Sequence, residues 1–187
     1  MNKVSKLLKA IGLILQRPAL LNLILKDEDV LQRAFEKEFP NLKLQQTDVF
    51  TWPEAAQLTI RPYAFLSGSS MVTDFAFLQM LCRRYNVQTY LEIGTWRGES
   101  AANVAPFVKE VFTLNLPDQM LLQMGMSQAY IDAHRFFSKD IANITHLFGD
   151  SATFDWTPYQ QKCDLIFIDG DHTTAAVERD TQTALRL

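Results

Sequence analysis

The chain has 187 residues, of which 48% are hydrophobic and 21% are charged, and these values are typical of a globular domain with a sizeable core. The formal net charge of −3 gives no overall attraction to phosphate groups, so we expect no nucleic-acid partner. The two cysteines, Cys82 and Cys163, are far apart and lack metal-ligand spacing, which argues against zinc and a disulfide framework and fits a reducing, cytoplasmic location.

Residues 1–62 are predicted to form a helical cap followed by an irregular linker. Between residues 2 and 17, apolar side chains recur at three- and four-residue steps, which marks one face of a helix. These side chains are Val4, Leu7, Leu8, Ile11, Ile14 and Leu15. Pro18 is predicted to start a second short helix, and Asp27 is predicted to cap a third.

Two interpretations of these helices stay open. They could pack as a cap on the main domain or pair two copies of the chain as a homodimer. The alternative is a basic amphipathic helix on a membrane surface, since Lys3, Lys6 and Lys9 accompany the apolar side chains. Because acidic residues follow from Asp27 onward, we favour the cap and expect no membrane partner. No apolar stretch approaches the roughly 20 residues that span a bilayer.

Residues 63–187 are predicted to form an α/β domain. The predicted strands lie at residues 87–93, 108–116, 144–148 and 164–168. The predicted helices lie at 71–85, 99–105 and 173–187, with one or two more over 118–138. Strands that alternate with helices predict parallel pairing in a Rossmann-like, doubly wound sheet. The continuous apolar run from Leu165 to Ile168 is typical of a strand that is covered on both faces.

The strongest local feature is the segment from Tyr90 to Ser100, in which a strand ends in Glu92 and passes through two glycines into a helix. Gly94 allows a sharp turn and a close approach to a ligand, because it has no Cβ. Gly98 does the same at the helix entrance, where unpaired N–H groups favour an anionic group. In an open α/β sheet, the ligand crevice lies at the carboxyl ends of the strands.

The glycine spacing also separates cofactor classes. A dinucleotide fingerprint has three glycines, as G-x-G-x-x-G, whereas Thr95 and the bulky Trp96 fill the positions after Gly94. The sequence contains no G-x-x-x-x-G-K-[ST] phosphate-binding loop. A nucleotide-dependent oxidoreductase therefore remains only a weaker alternative.

Glu92-x-Gly94-x-x-x-Gly98 resembles motif I of the class I S-adenosylmethionine (SAM)-dependent methyltransferases, in a version similar to a branch of small bacterial enzymes. The resemblance implies that SAM is the methyl donor. It places Glu92 near the methionine end of SAM and the glycine loop beneath it, with Thr95 and Ser100 as further cofactor-binding residues.

The ends of the second and third strands extend the resemblance. Where the family usually has an acidic residue for the ribose hydroxyls, this chain has Asn115, which can still accept and donate hydrogen bonds. Asp118 could substitute for it. At the third strand end, the resemblance places Asp150 near the adenine with Ser151 beside it, although an isolated Asp150 would be interpreted as a turn residue.

The fourth strand ends in Asp169-Gly170-Asp171-His172, which resembles methyltransferases that act on sugars, macrolide sugars and related hydroxyl compounds. In metal-dependent members, the positions of Asp169 and His172 supply a metal-binding carboxylate and a general base. A cation such as Mg²⁺ lowers the pKa of the acceptor hydroxyl, and the imidazole takes its proton. The alternative is that Asp169 and Asp171 cap the loop and that His172 packs over the cofactor.

The resemblance covers residues 63–187 but only the front half of a seven-stranded family fold. We therefore predict a sheet that is truncated at its C-terminal side after the fourth strand, in a chain that is a fragment and inactive alone or is completed by another chain. The leading hypothesis is methyl transfer to a small-molecule hydroxyl. The alternative is a non-catalytic module for protein interaction or membrane-surface binding. Of the other histidines, His146 is predicted to be structural. His134 is predicted to be a surface residue, with the lining of a substrate pocket as the alternative.

Overall fold

The computed structural model describes residues 2–21, 28–42 and 47–187. The chain divides into two compact units, Met1–Thr47 and Asp48–Leu187. In the first unit, helix α1 spans Lys3–Gln16, a short 3₁₀ helix spans Pro18–Leu20, and helix α2 spans Glu28–Glu38. The Asn2 side chain caps α1 by accepting a 2.8 Å hydrogen bond from the Ser5 N–H. The predicted cap residue of the third helix, Asp27, lies outside the described residues.

The second unit is built on four parallel strands: β1 (Thr89–Ile93), β2 (Glu110–Asn115), β3 (Ile144–Phe148) and β4 (Leu165–Ile168). Their order in the sheet is β3-β2-β1-β4. The register pairs Glu92 with Thr113 on one side and with Phe167 on the other. The predicted doubly wound α/β fold is confirmed, and β1 and β4 end side by side at the same edge.

Five helices accompany these strands in the described part of the second unit. They are α3 (Val72–Arg84), α4 (Glu99–Val104), α5 (Asp118–Gln123), α6 (Gln128–Ala133) and α7 (Thr174–Ala184). The predicted 118–138 helical region is two short helices because Gly125, with a positive φ of 91°, ends the first. Residues 41–70 were expected to be irregular, but Val49–Thr51 and Pro53–Gln57 are 3₁₀ helices.

The hydrophobic core lies between one face of the sheet and helices α3 and α4. Its buried members include Leu78 and Cys82 of α3, Tyr90 of β1, Val104 of α4 and Val111 of β2. Burial of a large apolar side chain stabilises a fold by about 1.5–3 kcal/mol. Burial also raises the pKa of the Cys82 thiol to about 12, so this cysteine is a core residue and not a nucleophile.

Residues 59–70, which we call the strap, run over α3 and α4 in an extended path. Buried Asn103 of α4 accepts a 2.7 Å hydrogen bond from the Arg61 N–H and donates a 2.8 Å bond to the Pro62 carbonyl. The Gln79 amide of α3 donates to the Thr59 carbonyl at 2.8 Å. These bonds satisfy strap backbone groups that would otherwise lack partners. The strap thereby reaches the carboxyl edge of the sheet.

Within residues 2–21, 28–42 and 47–187, no helix combines the length and apolar character that crossing a bilayer requires.

Candidate active site

Two adjoining cavities lie where β1 and β4 end. The larger, which we call the open cavity, has a volume of about 660 Å³, and its lining includes Met71, Trp96, Tyr130, Phe167, Asp169 and His172. The smaller, which we call the polar recess, has a volume of about 20 Å³, and its lining includes Glu92, Gly94, Thr95, Arg97, Ser100 and Asp169. The strap residues Ser69 and Ser70 line both cavities. Predicted site residues from two separate sequence segments, the glycine loop and the end of β4, thus meet at one place.

Glu92 lies at the base of the polar recess and is only 1% exposed. Its two carboxyl oxygens accept 2.8 Å hydrogen bonds from the Tyr90 and Ser100 hydroxyls. Burial raises the pKa of Glu92 from 4.5 to about 8, the two hydroxyl donors act in the opposite direction, and the Asp169 carboxylate raises it further. Ser100 therefore acts on the site through Glu92.

The two loop glycines are required for reasons that the sequence did not reveal. Gly94 has a φ of +106°, and a Cβ added there would overlap the backbone carbonyl of Asp169. Gly98 has a φ of +77°, and its Cβ would overlap the Ser138 side chain. Gly94 thus allows β1 and β4 to end in close contact, and this contact brings Asp169 to the recess.

The recess is closed on one side by an ion pair that ties the strap to the glycine loop. The buried Arg97 guanidinium lies 3.2 Å from Glu99 and donates to the carbonyls of Ser67 and Leu66 at 3.1 and 3.3 Å. Glu99 accepts a 2.7 Å hydrogen bond from the Ala64 N–H. The sequence does not predict this function of Arg97 and Glu99, because their partners lie roughly 30 residues earlier in the chain.

Asp169 lines both cavities and connects the strap to the end of β4. One carboxylate oxygen accepts a 2.8 Å hydrogen bond from the Ser70 hydroxyl, and the other lies 3.6 Å from Nε2 of His172. The His172 side chain is 80% exposed at the mouth of the open cavity. Asp171 lines neither cavity and accepts a 2.9 Å bond from the Thr173 N–H, as a turn residue does.

The end of β2 carries a polar network. The Asn115 amide contacts Nε2 of His134, while Nδ1 of His134 lies 2.9 Å from Asp118, which also accepts a 2.7 Å bond from Arg135. Burial lowers the pKa of His134, so the ring is neutral at pH 7, with Nδ1 donating to Asp118. The prediction that His134 is a surface residue is wrong, because it is only 4% exposed.

Other predicted site residues lie apart from these cavities or point elsewhere. The Thr95 hydroxyl is hydrogen-bonded to the Thr113 hydroxyl at 2.6 Å, although Thr95 also lines the recess. Asp150 is exposed and accepts a 2.9 Å bond from the Ala152 N–H in a turn. Ser151 accepts a 3.3 Å bond from Arg179. Asp150 and Ser151 line neither cavity, and their contact with adenine stays a prediction.

The described residues do not fit the magnesium site that the resemblance implied. Mg²⁺ prefers several oxygen ligands in octahedral geometry, but the second ligand predicted beside Asp169 is the imidazole nitrogen of His172. Across the described ranges 2–21, 28–42 and 47–187, no three His, Cys, Asp or Glu side chains are grouped to hold a metal ion.

The sequence matches a family model described as a methyltransferase domain over residues 91–187. The match begins within β1 and includes the glycine loop, Asn115, Asp150 and the end of β4. The chain belongs to this methyltransferase family. The predicted membership in the methyltransferases is confirmed.

Solved methyltransferases are also similar to this methyltransferase chain. The Podospora anserina methyltransferase PaMTH1, solved with S-adenosylhomocysteine (SAH), is 17% identical, with 86% of this chain and 67% of that chain covered and a TM-score of 0.45. The Bacillus cereus O-methyltransferase, also solved with SAH, is 19% identical, with 80% and 67% covered and a TM-score of 0.43. No curated protein matches the sequence. The methyltransferase chain spans about two thirds of the length of these solved chains.

Proposed function

We propose that this methyltransferase domain binds SAM across the polar recess and the open cavity and transfers its methyl group to a small-molecule hydroxyl. The observation that carries the proposal is the convergence of Glu92, Gly94 and Asp169 beside an open cavity at the carboxyl ends of β1 and β4. In α/β sheets, this edge is where ligands bind. The solved Bacillus cereus O-methyltransferase with SAH supports this choice of donor and acceptor.

The charges around the recess fit the methionine end of SAM. This end carries an ammonium and a sulfonium, both positive, and a carboxylate. The recess is lined by the Asp169 carboxylate, by the protonated Glu92 carboxyl and by Arg97. The Asp169 carboxylate is partly exposed, so it can meet a cation without moving from its hydrogen bond with Ser70. The indole N–H of Trp96 is buried and has no acceptor among the residues that the structure describes, although Trp96 lines both cavities. A polar ligand atom would satisfy this donor.

His172 is the residue that we propose as general base. The hydroxyl oxygen of the acceptor attacks the methyl carbon, the carbon–sulfur bond breaks, and SAH leaves with the electron pair. The hydroxyl proton passes to the imidazole of His172, and Asp169, 3.6 Å from its Nε2, stabilises the resulting imidazolium. No step passes through a metal ion.

Calorimetry with SAH tests the binding site. We expect Asp169→Asn to weaken SAH binding by about tenfold, since one charge-assisted contact is lost. Asp171→Asn is the matched control, because the same change two residues away removes a carboxylate that lines neither cavity. Equal losses in the two variants, or no SAH binding by the folded wild type, would refute the site. Binding of NAD⁺ in place of SAH would favour the oxidoreductase.

Transfer of a labelled methyl group from SAM to hydroxyl compounds tests the chemistry separately. We expect His172→Gln to lower kcat by about a hundredfold or more while leaving SAH affinity within about twofold of wild type. A variant that retains full kcat would remove His172 from the mechanism but leave the SAM site intact. Labelled product on nitrogen instead of oxygen would correct the acceptor class.

A further inference from the structure

Helix α1 carries an apolar stripe that stays accessible along its whole length. None of its 14 residues is buried. The large apolar side chains that are exposed on this stripe are Val4, Leu7, Leu8, Ile11 and Leu15. An amphipathic helix of a globular domain normally buries such a stripe.

The charges around this stripe have one sign. The chain contains 21 Asp and Glu residues, but none of them lies in residues 1–26. The same segment carries Lys3, Lys6, Lys9, Arg17 and Lys26. With about 100° of rotation per residue, Lys6 and Lys9 lie on the side of α1 opposite Ile11. The helix is therefore apolar on one side, and every charged side chain that it carries is basic.

We propose that α1 lies on the surface of an anionic lipid bilayer, with its apolar stripe in the acyl boundary and its basic side chains among the headgroups. A helix of 14 residues is about 21 Å long, which is too short to span the roughly 30 Å hydrocarbon core. Basic amphipathic helices of this kind bind in the plane of the interface, where apolar burial and attraction to anionic lipids act together.

The charges favour a bilayer over a second copy of α1 as the partner. If two copies paired through their apolar stripes, Lys3 of each helix would lie near the seam, and α1 contains no acidic side chain to neutralise it. Anionic headgroups supply that neutralisation for every lysine at once. The charge complementarity between a helix with only basic charges and an anionic surface therefore favours the bilayer as the partner.

Vesicle co-sedimentation of the full chain tests the proposal. We expect binding to vesicles that contain phosphatidylserine, little binding to pure phosphatidylcholine vesicles, and release of the protein at high salt. Replacing Lys6 with Gln should lower the partition coefficient by about fivefold, since each lysine near an anionic surface contributes about that factor. Equal binding to neutral and anionic vesicles would refute the electrostatic part of the proposal.

Two leucine variants separate the contribution of the apolar stripe to vesicle binding from the effect of an added charge. Leu8 is 65% exposed on the stripe, whereas Leu13 is 44% exposed on the basic side of the same helix. Leu8→Glu and Leu13→Glu therefore add the same charge to the same residue type. We expect Leu8→Glu to lower the partition coefficient by about tenfold or more, and Leu13→Glu by about fivefold or less.

Three outcomes would overturn the proposal, and the helical content of each variant in circular dichroism shows whether α1 is folded. The first is an equal effect of the two leucine variants in folded protein. The second is a wild type that does not sediment with phosphatidylserine vesicles. The third is a wild-type dimer in sedimentation velocity that Leu8→Glu converts to a monomer, because a second copy then covers the stripe.

Discussion

At the scale of single residues, Glu92 is an ionisable side chain in a buried environment that disfavours its charged form. Its carboxyl is buried beneath the recess, and its pKa of about 8 keeps it protonated at neutral pH. The Tyr90 and Ser100 hydroxyls hold it in one orientation. The side chain that the motif predicts as a cofactor-binding acid is therefore neutral until a ligand or a high pH favours its ionised form.

This raised pKa predicts a pH-dependent stability. Below pH 4.5, Glu92 is protonated in both the folded and the unfolded state, so its burial does not lower the free energy of unfolding. Between pH 4.5 and about 8, the unfolded chain ionises first, so the folded state is progressively disfavoured as the pH rises. Urea unfolding of wild type and Glu92→Gln at pH 5 and pH 8 should show the variant gaining about 2 kcal/mol or more relative to wild type at the higher pH.

Glu110→Gln is the control for this experiment. Glu110 lies at the start of β2 and is exposed, so the same substitution there removes a carboxyl that has no burial to oppose its charge. We expect the free energy of unfolding of this variant to follow wild type at both pH values. A Glu92→Gln profile parallel to wild type would show that the Glu92 carboxyl is already ionised at pH 5.

The site residues that the sequence predicts are positioned by the sheet, whereas those that it does not predict are positioned by contacts with the strap. Glu92 and Asp169 were predictable, because a residue at the end of a parallel strand has its place fixed by the sheet. Ser70 and Arg97 act through the strap, which pairs with residues far along the chain. A sequence pattern has no local signal for such contacts, since they arise only from the tertiary fold.

At the scale of elements, the glycine loop is determined by contacts with two other segments. Gly94 fits against the backbone of the β4 end, and Gly98 fits against Ser138 in the segment after α6. The loop is also hydrogen-bonded to that segment, with the Arg135 N–H donating to Trp96 at 2.7 Å and the Phe137 N–H to Arg97 at 2.9 Å. The motif is thus a junction of three segments as well as a ligand loop.

A Cβ at Gly98 would overlap a side chain, whereas a Cβ at Gly94 would overlap backbone. A second substitution that removes the overlapping side chain should therefore restore stability to Gly98→Ala but not to Gly94→Ala. Gly98→Ala should lower the free energy of unfolding by about 2 kcal/mol or more, because of the overlap with Ser138 and the positive φ. Adding Ser138→Gly should restore the part of this loss that comes from the overlap. Gly94→Ala should cost more, with no side-chain change able to restore the space. Denaturant unfolding of the single and double variants measures the coupling, and additive effects at 98 and 138 would contradict it.

The strands and helices were largely predictable from the periodicity of apolar residues and from the turn residues between them. Each strand falls within its predicted range, because continuous apolar runs followed by polar turns are strong signals. The 3₁₀ helix at Pro53–Gln57 was missed because one short turn has no apolar period to detect. The helix break at Gly125 was left open for the same reason, since a single glycine can end a helix or be tolerated within it.

At the scale of the whole molecule, the strap makes part of the predicted linker a component of the Asp48–Leu187 unit. Asn103 joins the strap to α4, and it accepts from Arg61 while donating to Pro62 and to the Glu99 carbonyl, both at 2.8 Å. Ser70 then joins the strap to Asp169 at the cavity. A change at Asn103 should therefore reach the site through the strap, although Asn103 lines neither cavity.

Asn103→Ala should destabilise the protein by about 2–4 kcal/mol, because buried backbone groups of the strap lose their partners. The amide of Arg61 should exchange faster in hydrogen-exchange measurements, and SAH affinity should fall as the strap loosens. Asn143→Ala is the matched control, since Asn143 also donates to two carbonyls, of Ala105 and Val108, but does not contact the strap. It should cost stability without changing exchange at Arg61. If both variants change exchange at Arg61 equally, the strap opens only by global unfolding, and its separate coupling to the site is refuted.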